Sequence, residues 1–140
     1  MKKFWTLLCV MLISVCFCFA GCKKEGEANA TVLSATDTRI VIRIDKTIGD
    51  AVLMDAMEEL EEKDKLSFTV SEGMITSLNG VENAADYSAC WMLYTSDGEM
   101  ANSAWGTLEY EGQTLGSAMV GAEDLIVSEG ELYIWLYQTF

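Results

Sequence analysis

The sequence predicts an α+β domain in which one helix packs across a mostly antiparallel sheet. Three observations carry this expectation. One amphipathic helical pattern lies early in the chain, and a series of short strand-like runs follows it, each closed by Gly, Asn, Asp or Ser. The last run, Leu132 to Tyr137, alternates aliphatic and aromatic residues with a period of two.

The first segment reads as an address. Lys2 and Lys3 precede an apolar run from Phe4 to Ala20, and the run ends in Phe19-Ala20-Gly21-Cys22. This is the pattern of a secretory signal peptide, and the run is at the short limit for a permanent membrane span. Small residues directly before a cysteine resemble a lipobox, the bacterial lipoprotein signal. That resemblance implies that residues 1–21 are removed, that Cys22 is acylated, and that the protein sits lipid-anchored on the extracellular face of the cell membrane. Residues 22–30 are polar and small without periodicity, which predicts a flexible tether ahead of a domain at 31–140. Of the five cysteines only Cys90 is left inside that domain, so it has no intrachain disulfide and its core must hold it together.

Thr31 to Ser34 is the only stretch available for a strand ahead of Arg39. Arg39 to Asp45 then alternates, with Ile40, Ile42 and Ile44 on one face and Arg39, Val41 and Arg43 on the other, as in a half-buried strand. Thr47, three residues before Asp50, opens a helix expected over residues 48–62. On its wheel Val52, Leu53, Ala56, Met57 and Leu60 cluster, and the acidic residues Asp50, Asp55, Glu58, Glu61 and Glu62 form a solvated face. Strands follow at residues 66–70, 74–78 and 89–95, with turns at Glu72-Gly73, Asn79-Gly80 and Ser96-Asp97-Gly98. Residues 100–123 form a partly stranded excursion, residues 125–127 a short strand and residues 132–137 the closing one. In that last strand Leu132, Ile134 and Leu136 are expected to meet the helix. Tyr133, Trp135 and Tyr137 then line the reverse face, either covered by the excursion through Trp105, Leu108 and Tyr110 or left as a binding platform.

Composition removes several function classes. The formal charge is -13, which opposes nucleic acid and anionic lipid, since that binding relies on Lys and Arg. His is absent, so Ser-His-Asp or Cys-His hydrolysis and His-ligated zinc cannot come from this chain alone. No nucleophile-base pair is apparent, and Ser96-Asp97-Gly98-Glu99 lacks the alternating acids of a calcium loop. The reading is therefore a non-enzymatic protein with no cofactor and no metal. After Lys65 there is no Lys or Arg against eleven acidic residues, which favours a neutral or cationic partner.

Four segments taken in order resemble a known family. Thr47-Ile48-Gly49-Asp50-Ala51-Val52, then residues 74–81 (MITSLNGV), then Cys90-Trp91-Met92-Leu93-Tyr94, and finally Ser128-Glu129-Gly130-Glu131-Leu132 are similar to the C-terminal domain of transcobalamin and intrinsic factor, as it recurs in bacterial surface lipoproteins. The resemblance implies a β-grasp-like fold and a soluble-ligand-binding module. It makes a corrinoid, or another flat neutral compound, the first ligand class. The candidate binding residues are Trp91, Tyr94, Trp105, Tyr133, Trp135 and Tyr137. The competing reading is an interaction module that docks another surface protein or a glycan with the same aromatics.

Overall fold

The computed structural model describes residues 26–140. The expected signal peptide, Cys22 and the first part of the expected tether lie outside the described residues. Nine strands and one helix follow in the order β1 (Gly26–Ala35), β2 (Arg39–Gly49), α1 (Leu53–Glu62), β3 (Phe68–Ser71), β4 (Met74–Leu78), β5 (Val81–Glu82), β6 (Ala89–Thr95), β7 (Ala101–Tyr110), β8 (Gln113–Ala118) and β9 (Leu132–Thr139). Six strands form one sheet, ordered β1-β2-β9-β6-β8-β7, and β3-β4-β5 form a second, with every ladder antiparallel. No helix among the described residues is long and apolar enough to cross a membrane.

The expected tether is corrected over residues 26–30, which are the first half of β1 and pair with β2. Small residues hid an alternation. Ala28 is buried, Ala30 and Val32 pack on the same core, and Glu27 and Asn29 face outward. At Gly26 a Cβ would lie 2.5 Å from the backbone nitrogen of Ala51, so only glycine lets the two segments approach this closely.

The helix begins at Leu53, later than its expected start at Ile48, because β2 runs on to Gly49. Thr47 does not cap it; the Thr47 amide donates to Glu129 Oε1 at 3.0 Å. Instead the Asp55 carboxylate accepts the Val52 N–H at 2.9 Å. Two amides of the first turn donate to a distant loop, Leu53 to the Leu125 carbonyl at 2.8 Å and Met54 to the Ala122 carbonyl at 2.9 Å. Amides at a helix start have no partner within the helix, so this loop does the work of a cap. The same loop replaces the strand expected at residues 125–127, where one bridge joins Ile126 to Val52. Leu53, Met54, Ala56, Met57 and Leu60 form the buried side of α1.

Two cores lie on the two faces of the large sheet. On the first, Ile40, Ile42 and Ile44 of β2 and Trp91 and Leu93 of β6 meet α1 and the small sheet, together with Tyr133 and Trp135 of β9. On the second, Val41, Tyr94, Leu132 and Ile134 meet Leu115 of β8, with Leu108 and Tyr110 of β7 packed beside them. The faces of β9 are therefore the reverse of the expectation: the aromatics point toward the helix layer and the aliphatics away from it. Alternation dictates only that the two sets part, and the register with β2 chooses which goes where. Trp135 is opposite Ile40 and Tyr133 opposite Ile42, which places both rings on the isoleucine side.

The excursion is a β7–β8 hairpin, closed by Glu111 and Gly112 at φ 45° and 79°. Its ladder is interrupted between Asn102 and Thr107, where Gly106 takes φ 147° and the Ala104 amide bonds Asn102 Oδ1 at 3.0 Å. This bulge bends the hairpin over the second face until the Arg39 guanidinium carbon lies 5.4 Å from the centre of the Tyr110 ring. The hairpin thus covers the aliphatic face and not the aromatic one. β8 lies between β6 and β7, so the turn at Ser96-Asp97-Gly98 leads past a strand and does not close a simple hairpin. The turns at Glu72-Gly73 and Asn79-Gly80 are as expected, with positive φ at both residues of each pair, as two-residue hairpins require.

Candidate functional site

The first face of β6 and β9 gathers four aromatic side chains that carry a polar atom, and three of them are satisfied. Trp91 Nε1 donates to the Val81 carbonyl at 2.8 Å, and its backbone N–H donates to Asn83 Oδ1 at 2.9 Å. Tyr137 Oη donates to the Glu82 carbonyl at 2.8 Å, and the Trp91 and Tyr137 rings meet edge to face at 5.3 Å. These two residues therefore fasten β5 to the large sheet. Tyr133 is fully buried, and its oxygen accepts the Ser128 N–H at 3.0 Å. Burial pushes the Tyr133 phenol above the ordinary tyrosine value.

Trp135 is the exception. It is 5% exposed, and its Nε1 is buried with no acceptor among the described residues. An indole N–H withdrawn from water without a partner costs about 1–3 kcal/mol. Native proteins keep few such groups, and each calls for a reason.

Trp135 also lines a cleft of about 270 Å³. Its floor is Trp91, Leu93 and Trp135 on the sheet; one wall is Gly73, Met74 and Ile75 of the small sheet, and the other is the segment from Ser117 to Ala122. Two glycines stand on its walls. Gly73 sits at φ 77°, where a Cβ would be 3.2 Å from the Glu123 carboxylate, and a Cβ on Gly121 would be 3.8 Å from the Gly73 carbonyl. Met74 and Met119 stand on opposite walls, 56% and 42% exposed. Both are unbranched and adaptable, as side chains at the mouth of a binding site often are. The lining is mainly apolar with few polar groups, the usual make-up of a small-molecule site.

The six aromatics read from the sequence do not form one site. Trp91 and Trp135 line the cleft; Tyr133 and Tyr137 share their face but are spent on Ser128 and Glu82. Tyr94 is on the opposite face, where its hydroxyl donates to Gln138 Oε1 and the kink at Gly106 rests on it. Trp105 is 64% exposed on β7, away from the cleft. Sequence reasoning missed Met74, Ile75, Leu93, Met119 and Ala122. The available signal was Gly73-Met74 and Met119-Val120-Gly121, two methionines beside glycines.

A second hollow of about 200 Å³ lies between the start of β1 and the helix residues Asp55, Glu59 and Glu62. Lys63 pairs with Glu59, and no group of three or more acidic or cysteine side chains among the described residues is placed to hold a metal ion. The hollow lies along the acidic side of α1.

Residues 50–112 match a family model, "Domain of unknown function (DUF4430)". The match runs from just before α1 to the tip of the β7–β8 hairpin. It takes in Met74, Ile75, Trp91 and Leu93 of the cleft and stops short of Ser117, Met119 and Trp135. No curated protein and no solved structure matches the chain.

Proposed function

We propose that this domain is a non-enzymatic module that binds a soluble, flat, neutral ligand and is held at the outer face of the cell membrane by a lipid on Cys22. The observation that carries the reading is the apolar cleft over Trp91 and Trp135, with Met74 and Met119 on its walls. Aromatic floors suit flat compounds, because they give a large contact area at little conformational cost. Charge supports neutrality: no Lys or Arg follows Lys65, and Glu123 stands beside the Gly73 wall. A helix held against an antiparallel sheet is compatible with the β-grasp-like arrangement implied by the likeness to the C-terminal domain of transcobalamin. The cleft is smaller than a corrinoid macrocycle, so a corrinoid would insert an edge or a side group while its body lay across the mouth.

The test is a binding screen of the mature chain, with Cys22→Ser so that it carries no lipid, against corrinoids, haem and neutral oligosaccharides, read by tryptophan fluorescence. A ligand of the cleft alters the emission of Trp91 and Trp135 and keeps its affinity in Trp105→Ala. Binding that is lost in Trp105→Ala instead would favour a second reading, a protein- or glycan-docking module. The observation behind that alternative is Trp105 itself, a large ring 64% exposed on the edge strand β7.

A further inference from the structure

Resting on the cleft as a binding site, we infer the chemistry of its ligand: a small, flat, neutral group that carries a carbonyl or ether oxygen and accepts a hydrogen bond from Trp135 Nε1. Four facts converge on this. The first is the contrast between the two floor tryptophans. Trp91 Nε1 has the Val81 carbonyl at 2.8 Å, whereas Trp135 Nε1 is buried with no acceptor among the described residues. The fold has already borne the desolvation of that N–H, so a ligand oxygen arriving there gains a bond without stripping water from the donor.

The second fact is size. A volume of about 270 Å³ holds one or two fused rings and not a chain of them. Third, the mouth can adjust: Met74 and Met119 are exposed, unbranched side chains on facing walls, which an entering ligand can displace. Fourth, charge selects against anions. An acid stands beside one wall, since the Glu123 carboxylate lies 3.2 Å from where a Gly73 Cβ would be, and the cleft lining holds no cationic side chain. A carboxylate or phosphate would offer an acceptor, yet it would enter a cleft that returns nothing for its lost hydration. A neutral oxygen bears no such cost.

Indane and indanone separate the parts of this inference, since they share a carbon skeleton and differ in one carbonyl. Each is titrated by NMR into the mature Cys22→Ser chain, following the indole N–H of Trp135 and the methyls of Met74 and Met119. The expected result is binding of indanone about tenfold or more tighter than indane, with a downfield shift of the Trp135 N–H. An indanone carboxylate should bind more weakly than indanone. The decisive variant replaces Trp135 with benzothienylalanine, in which sulfur stands in the position of the N–H and the shape is kept; there the two affinities should become equal.

Equal affinities in the unsubstituted chain would overturn the acceptor assignment and leave the cleft reading standing. A preference for indanone that survived in the benzothienylalanine variant would also overturn it, by placing the donor elsewhere. Failure of both compounds to move Met74 and Met119 at millimolar concentration would overturn the acceptor assignment together with the cleft reading beneath it.

Discussion

Trp91 and Trp135 are the same residue type on neighbouring strands, yet they have different duties. Trp91 ties β6 to β5 through the Val81 carbonyl; Trp135 has no such bond. Replacing Trp91 with Phe removes that bond and leaves a carbonyl short of its donor, at a cost of about 1–3 kcal/mol beyond the lost volume. Trp135→Phe has no bond to lose and should be the milder change by about 1 kcal/mol. Urea midpoints at a shared slope decide the order. A second residue, Tyr133, makes stability depend on alkaline pH. Burial raises its phenol above the unfolded value, so the folded state holds its proton more tightly. That contribution is complete below the unfolded value of about 10 and falls away as pH climbs through the folded one. Tyr133→Phe should lower stability at neutral pH by removing the acceptor of the Ser128 N–H, and should flatten the alkaline decline in a pH series of melts. At this scale the sequence was partly legible. Trp91 and Trp135 stood out as aromatics on strands, but their hydrogen-bond partners, Val81 and none, come from β5 and from nothing local.

The elements divide by whether local pattern or distant pairing defines them. β4 and β6 fall at the bounds that alternation and turn residues indicated, residues 74–78 and 89–95. The buried stripe of α1 is likewise the one on the wheel, with Val52 only partly buried and Met54 added. Leu53→Ala and Leu60→Ala should each cost about 2–5 kcal/mol, and Glu62→Ala on the solvated side less than about 0.5 kcal/mol. The start of α1 was not legible, because its first amides bond Leu125 and Ala122, some seventy residues away. The first half of β1 escaped notice for a related reason: Ala28 and Ala30 are too small to mark a strand, and the edge of β2 organises them. Gly26→Ala should therefore destabilise by about 1–3 kcal/mol, where a true tether would be indifferent. The β7–β8 hairpin offers a parallel contrast. Leu115→Ala, at 0% exposure under the bend, should cost about 2–5 kcal/mol, while Trp105→Ala at 64% exposure should change a denaturation midpoint little.

For the molecule as a whole, the large sheet is sandwiched: α1 and the small sheet cover one face, and a hairpin folded back on the sheet covers the other. The covers differ in how well they close. Over the aliphatic face the hairpin seals Leu132 and Ile134, whereas on the aromatic face the helix layer and the segment 117–122 leave the cleft over Trp91 and Trp135. Alternation in β9 showed that two faces needed covers; it could not show which cover was incomplete, since that follows from the register of β9 on β2. The surplus of acid over base, confined after Lys65 to carboxylates alone, adds the preference for an uncharged guest. The central claim is that this gap, and not the exposed ring of Trp105, is where a ligand is held. It is tested most directly by methyl NMR of the mature Cys22→Ser chain, with methionine methyls labelled, at saturation with the tightest compound from the screen. The Met74 and Met119 methyls should move together while the Met57 methyl, inside the helix core, and the Trp105 indole stay in place. Movement of the Trp105 indole with Met74 and Met119 unchanged would contradict it.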